Sequence, residues 1–181
     1  MRRSLLMCTG TLMGLTACAT SSSESGTRIS TQSMGSSEVG RINITSTVEA
    51  DVITVPYDAD AVFRVLPAIY DALGIQITGL DPARKTIENT GSKIRSRLGS
   101  VPISTYLDCG NSQIGPNADS YDVYLSVSTR VTAGAAVSSK LVTLLEAQAR
   151  PATYNQAYSV CSTKGALEQK IAEIVKVRLS R

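Results

Sequence analysis

Cysteine carries most of the chemistry open to this 181-residue chain, because the chain has no histidine. Histidine is the commonest general base near neutral pH and the commonest metal ligand. A structural zinc site needs four ligands, usually Cys or His. The four cysteines are widely spaced, at Cys8, Cys18, Cys109 and Cys161. We therefore expect no bound metal and look to the thiols for modification or pairing.

The other polar residues form no recognisable catalytic motif. Asp119 and Asp122 are the closest pair of carboxylates that we expect to be exposed, but they stand where a strand begins and suit a loop end better than an acid and base pair. Residues 110–115 lack the lysine and the strand-to-helix setting of a phosphate-binding loop. We predict that the protein is not an enzyme and uses no cofactor. A hydrolase with an unidentified Ser and Lys pair is the enzymatic alternative.

The first seventeen residues have the parts of an export signal. Arg2 and Arg3 give a positive start, and residues 4–17 are mostly apolar and uncharged. This run of about fourteen residues is too short to cross a bilayer, which takes about twenty. Small residues close the run, as they do before a signal cleavage site. We predict that residues 1–17 are a signal peptide.

The signal ends in Leu15-Thr16-Ala17-Cys18. This tetrapeptide resembles the lipobox of bacterial lipoproteins, which is an aliphatic residue and two small residues before a cysteine. The resemblance implies that Cys18 is acylated and begins the mature protein, and two or more acyl chains anchor a protein stably. A secretory signal with a chance cysteine is the alternative. Ala19 stands where an Asp would direct retention in the inner membrane, so we expect the outer membrane of a bacterial envelope, facing the periplasm.

Residues 18–40 have the composition of a flexible tether behind the acylated cysteine. They are rich in Ser, Thr and Gly and contain few apolar residues, so they cannot bury enough surface to offset their ordering entropy. Residues 41–181 then form one domain of common size. Removal of Arg2 and Arg3 lowers the net charge from +3 to about +1, which argues against nucleic-acid binding.

Cys109 and Cys161 are the two cysteines that remain after cleavage and acylation. An even pair in an exported protein usually bonds. The loop would contain about fifty residues, and closing it would contribute about 4 kcal/mol in the chain-entropy model. We predict a disulfide between them, with two free thiols as the alternative.

The apolar spacing of residues 62–73 predicts a helix with Pro67 inside it. Asp58 or Asp60 can cap its start, and Gly74 can end it. Alternating polar and apolar residues predict strands over 41–55, 75–78, 85–90, 101–109, 121–131 and 141–150, and a second helix covers 167–179. Residues 91–100 fit either a helical face or a loop. This order predicts an α+β fold of two layers, an antiparallel sheet with two helices packed on one face.

Two stretches carry a further resemblance: YDADAVFRVLPAIYDALGIQI running into LDPARKTI, and KGALEQKIAEIVKVRLS near the end of the chain. Their pattern resembles the helix-grip domains of BamC-type outer-membrane lipoproteins. The likeness covers most of residues 50–181, although that family carries two such domains and this chain has room for one. It implies binding or scaffolding at the envelope rather than catalysis.

Two groups of residues are candidates for a binding surface. Lys93, Arg95 and Arg97 form a cationic run that suits anionic head groups or cell-wall polymer, or simply a solvated loop. Tyr106 and Tyr124 alternate out of phase with the aliphatic face of their strands, so we expect both on the exposed face of the sheet. Exposed tyrosines can anchor a partner or be ordinary surface residues.

We therefore predict a membrane-anchored envelope lipoprotein whose domain docks to another envelope protein. The alternative is a carrier of a small ligand or lipid, with a pocket between the sheet and the C-terminal helix. An enclosed apolar cavity under that helix would favour the carrier. A filled core beside a flat, tyrosine-bearing face would favour docking.

Overall fold

The computed structural model describes residues 26–34, 42–153 and 156–181. The predicted signal peptide and Cys18 lie outside the described residues. The helices are α1 (Ala59–Leu73), α2 (Asn117–Ser120) and α3 (Ala166–Leu179), with a 3-10 turn at Ile103–Thr105. The strands are β1 (Gly26–Met34), β2 (Ile42–Val55), β3 (Gly79–Asp81), β4 (Thr86–Arg95), β5 (Arg97–Leu98), β6 (Val101–Pro102), β7 (Leu107–Asp108), β8 (Asn111–Ser112), β9 (Gly115–Pro116), β10 (Asp122–Ala133), β11 (Ser139–Arg150) and β12 (Ser159–Thr163).

The main sheet is antiparallel in every pairing, with the strand order β1-β2-β11-β10-β4-β3. β12 pairs with β11 and also with the short β7. α1 and α3 pack against each other, α1 also on β4, β10 and β11, and α3 on β2 and β11. The predicted α+β, two-layer fold is therefore confirmed. Within the described ranges, no helix has the length and apolarity to cross a bilayer.

Helix α1 begins and ends where its sequence predicts. The Asp58 carboxylate accepts hydrogen bonds from the backbone N–H groups of Asp60 and Ala61, at 2.8 and 3.3 Å. Gly74 ends the helix at a φ of +72°, which glycine adopts readily. Pro67 lies inside the helix, as predicted. These local signals fix the length of α1 and therefore which of its side chains face the sheet.

The core lies between the helices and the sheet, and many of its apolar side chains have no exposed surface. They come from α1, from α3 and from the facing strands: Leu66, Ile69, Ile87, Val123, Val127, Leu167, Ile171 and Val175. Apolar burial contributes about 25 cal/mol per Å². One polar triad crosses this core. The Tyr70 hydroxyl donates to Thr129 Oγ1 at 2.9 Å, and Thr129 Oγ1 lies 3.0 Å from Thr143 Oγ1.

Part of the predicted tether is a strand. Gly26–Met34 pairs in register with residues 42–50 of β2, and residues 51–55 of β2 pair with β11. A strand ladder satisfies backbone N–H and C=O groups, so polar residues can extend a sheet without adding to its core.

Residues 101–109 are not the single strand that their alternation predicts. β6 and β7 flank a 3-10 turn in which the Tyr106 N–H donates to the Ile103 carbonyl at 2.9 Å. A turn breaks the two-residue period of a strand. The side chains on either side of it therefore no longer share a face as the sequence pattern implies.

Candidate functional site: the open face of the sheet

Burial alternates along β11 and along β10 from Val123 to Thr132, because one face of the sheet carries the helices. The other side we call the open face. Cross-strand pairing places the facing side chains of neighbouring strands on it. The open face includes Glu88, Lys93, Arg95, Asp122, Tyr124, Ser126, Ser128, Arg130, Thr132, Lys140, Val142, Leu144, Glu146, Gln148, Arg150 and Val160.

One end of the open face carries three cations around one carboxylate. Asp122 on β10 lies directly opposite Arg95 on β4 and Arg150 on β11. Its Oδ2 is 2.9 Å from Lys93 Nζ, and its Oδ1 is 3.7 Å from Arg95 Nε. The Asp122 side chain is 10% exposed, whereas Lys93 is 52% and Arg95 64% exposed. We call these four residues the charged row.

The charged row keeps Asp122 ionised. The hydrogen bond from Lys93 is the largest influence and lowers the pKa of the Asp122 carboxyl, while burial opposes it. The charges of Arg95 and Arg150 lower it further. A carboxylate held in this way acts as a fixed anchor for the cations around it, so Lys93 and Arg95 present their remaining N–H groups to solvent in defined positions.

Two tyrosines adjoin the charged row. The rings of Tyr124 and Tyr158 meet edge to face with their centroids 5.3 Å apart, and the Arg150 guanidinium lies 4.7 Å from the centre of the Tyr158 ring. The hydrogen bond with Tyr124 is the main cause that raises the pKa of Tyr158. Aromatic and cation–π contacts of this kind favour one arrangement of the side chains.

The structure brings together three of the five surface residues predicted from the sequence. Lys93, Arg95 and Tyr124 lie side by side on β4 and β10. Arg97 lies apart from them on the two-residue strand β5, where its Nη1 donates to the Ser100 carbonyl. The cationic run is therefore divided between two strands of different sheets.

The prediction for Tyr106 is wrong. Its side chain is 5% exposed and belongs to the core. The 3-10 turn before Tyr106 turns it inward, and its carbonyl accepts from the Lys164 N–H at 2.9 Å just before α3. Burial raises the pKa of the Tyr106 hydroxyl. Tyr106 is therefore no part of the open face.

Arg150 and Tyr158, which lie beside the charged row and Tyr124, were not predicted from the sequence to be site residues. Arg150 ends the strand that pairs with β10, and Tyr158 immediately precedes β12. The alternation along β10 did place Asp122 on the polar side of its strand. The register that sets Asp122 beside Arg150 depends on the turn between β10 and β11, which the sequence pattern alone does not fix.

The predicted disulfide between Cys109 and Cys161 is present, with the two sulfur atoms 2.07 Å apart. Both cysteines are 7% exposed. The bond lies beside the β7–β12 pairing, which sets Leu107 opposite Thr163. It therefore joins the segment before β10 to the segment that leads into α3.

Leu167, Ile171 and Val175 of α3 are fully buried in the core. An open cleft of about 540 Å³ adjoins α3 and is lined by Val65, Ile174, Val177, Arg178 and Arg181. Arg178 Nη2 donates to the Ala68 carbonyl at 3.3 Å. The cleft therefore lies between residues of α1 and α3, and three of its five lining residues are apolar.

Among the residues that the structure describes, no three His, Cys, Asp or Glu side chains converge as metal ligands. No family model matches the chain, and searches of curated proteins and of solved structures also find no match. The likeness to BamC-type lipoproteins and the lipobox stay predictions.

Proposed function

We propose that this protein is a non-enzymatic, lipid-anchored envelope protein whose domain docks to another envelope component through the open face. The observation that carries the proposal is the cluster of Lys93, Arg95, Tyr124, Arg150 and Tyr158 at one end of a sheet face on which none of the described helices packs. Arg and Tyr are enriched among the residues that contribute most to protein interfaces.

The rest of the open face also suits a partner. Val160 is 61% exposed, and Val142 and Leu144 are half-buried. These apolar side chains share the face with the tyrosines, as in interfaces where a hydrophobic centre lies beside polar groups. The binding energy would come from this surface, which lies on the side of the sheet away from α1 and α3.

The membrane anchor rests on residues 15–18. Acylation of Cys18 would hold the domain at the outer membrane, facing the periplasm. Intact-mass measurement of the protein purified from its native membrane tests this directly. The expected product begins at Cys18 and carries acyl chains, and an unmodified amino terminus would contradict the anchor.

A carrier of small apolar ligands is the second candidate, and the 540 Å³ cleft beside α3 favours it. Its lining combines the apolar side chains of Val65, Ile174 and Val177 with Arg178 and Arg181. Native mass spectrometry of the protein from membranes would show a co-purifying ligand if the carrier function holds. A ligand-free spectrum, with adducts formed at the open face, would favour docking.

Site-specific photocrosslinking in native membranes tests docking. A photoreactive amino acid replaces Ser126 or Gln148 on the open face, or Arg64 or Gln169 on the exposed side of the helices. We expect a discrete protein adduct from the two open-face positions and none from the two helical positions. Equal labelling from all four positions, or no adduct at all, would contradict docking through the open face.

A further inference from the structure

The charges on the open face form bands of alternating sign. The charged row at one end holds Lys93, Arg95 and Arg150 against the single carboxylate of Asp122. Because Asp122 is 10% exposed, a partner meets mainly the cations. This end of the face is therefore positive.

The middle of the open face has the opposite sign. Glu146 lies opposite Ser126, and Glu88 lies opposite Ser128. Both glutamates are exposed. A strand advances about 3.4 Å per residue, so this acidic band lies about 14 to 20 Å from Asp122 along the strand direction. Arg130, also exposed, follows at about 27 Å.

This alternation discriminates between classes of partner. An anionic membrane surface or a polyanionic polymer carries one sign of charge, so it would be attracted to the charged row and repelled by Glu88 and Glu146. Like charges across an interface are costly and serve to reject wrong partners. A folded protein surface can instead present both signs at the required spacing.

We propose that the open face binds a protein whose contact surface carries acidic groups opposite the charged row and basic groups opposite Glu88 and Glu146. This inference rests on the proposed docking function and specifies the chemistry of the partner. The Asp122 carboxylate prepares the site by holding Lys93 and Arg95 in place before binding, which reduces the ordering cost of association.

The test uses the photoreactive residue at Gln148 in native membranes and measures adduct yield at limiting expression, where the yield follows occupancy. Three double variants are compared: R95Q/R150Q, which neutralises the charged row; E88K/E146K, which reverses the acidic band; and R64Q/K170Q, which removes two exposed cations from the helical side. We expect a loss of about tenfold or more for the first, a loss of about threefold or more for the second, and no change for the third.

Folding of each variant is checked by thermal denaturation. R95Q/R150Q keeps the 2.9 Å contact of Lys93 with Asp122, so the buried carboxylate retains a partner. A second measurement at 0.05 and 0.5 M salt needs no variant, and we expect the wild-type yield to fall at high salt because exposed charges are screened.

The outcomes separate the two proposals. If the adduct yield changes neither in the two charge variants nor with salt, the proposed charge pattern of the partner is overturned, while docking through the open face stands. A yield that rises in E88K/E146K, together with binding of the wild type to phosphatidylglycerol vesicles but not to phosphatidylcholine vesicles, identifies a uniformly anionic surface and overturns the inference. The absence of any wild-type adduct overturns docking, and the inference with it.

Discussion

The two faces of the sheet are built by the same strands and treat polar groups in opposite ways. On the helix-covered face, Tyr70, Thr129 and Thr143 form a neutral triad, and burial raises the pKa of Tyr70 to about 12. On the open face, hydrogen bonding to Lys93 lowers the pKa of Asp122. One face keeps its polar groups uncharged, and the other keeps them ionised.

The difference shows how solvent access decides which polar chemistry a strand can carry. Isolated charges are costly in a closed core, so hydroxyl groups that bond one another are tolerated there. Next to water, ion pairs retain hydration on their outer side and remain able to bind a partner. A sheet with one covered face can therefore hold stability on one side and recognition on the other.

The largest expected difference between the faces comes from two leucines on β11. Leu141 is 2% exposed on the covered face, and Leu144 is half-buried on the open face. We expect Leu141→Ala to lower the free energy of unfolding by about 3 kcal/mol, because it leaves a cavity. Leu144→Ala should cost about 1 kcal/mol or less. Urea denaturation measures both, and equal losses would mean that the open face is covered in solution.

Alkaline pH should lower the free energy of unfolding because Tyr70, on the covered face, ionises. Its folded pKa of about 12 exceeds the ordinary value of 10.0, so its contribution is complete below pH 10 and is lost as pH rises towards 12. Two pKa units correspond to about 2 to 3 kcal/mol. We expect Tyr70→Phe to reduce the loss of unfolding free energy over this range. A variant whose stability falls with pH as steeply as the wild type would contradict the assignment.

Two glycines compare backbone space on the two sides. Gly99 has a φ of +59°, and a Cβ there would lie 3.0 Å from the Leu73 carbonyl oxygen. Gly91 has a φ of +68°, and within the described part of the chain a Cβ there would meet nothing within 4 Å beyond its own chain neighbours. We expect Gly99→Ala to cost about 2 kcal/mol and Gly91→Ala about 1 kcal/mol, the cost of the left-handed conformation. Thermal unfolding measures both, and the same loss at both sites would rule out close packing at Gly99.

Acidic pH should lower the free energy of unfolding through Asp122 on the open face, and this is the smallest of the expected changes. The pKa of Asp122 lies below its ordinary value of 3.8, so its contribution is present above that pH and is lost as pH falls through the folded pKa. We expect Asp122→Asn to flatten the pH dependence of unfolding below about pH 4. Lys93→Gln should act in the same direction because Lys93 is the main cause of the shift. If the unfolding free energy of both variants falls with decreasing pH as steeply as that of the wild type, the ion pairing is contradicted.

Local signals in the sequence predict much of the fold. Residues 62–73, with Asp58 and Gly74 at the two ends, specify α1, because helix caps act over three or four residues. The alternation around Val127 specifies β10 and its buried face. The disulfide between Cys109 and Cys161 was predicted from the count of cysteines that would remain after cleavage and acylation. Each of these inferences uses neighbours in sequence.

The parts that could not be predicted depend on neighbours in space. The charged row exists because Arg95 and Arg150 meet at Asp122 across two strand pairings, and a shift of one residue would move them to opposite faces. Tyr106 was misplaced because a 3-10 turn interrupted an alternating pattern. The sequence therefore indicated Lys93, Arg95 and Tyr124 as candidates for a binding surface. It did not give the strand register that places them beside Asp122 and Arg150.

The bond between Cys109 and Cys161 encloses β8 to β11, so the central hairpin of the sheet lies inside a covalent ring. A protease that cuts once between these cysteines leaves two pieces that remain linked until the bond is reduced. A single cut in a surface loop of this segment would therefore not release a fragment of the domain while the bond is intact.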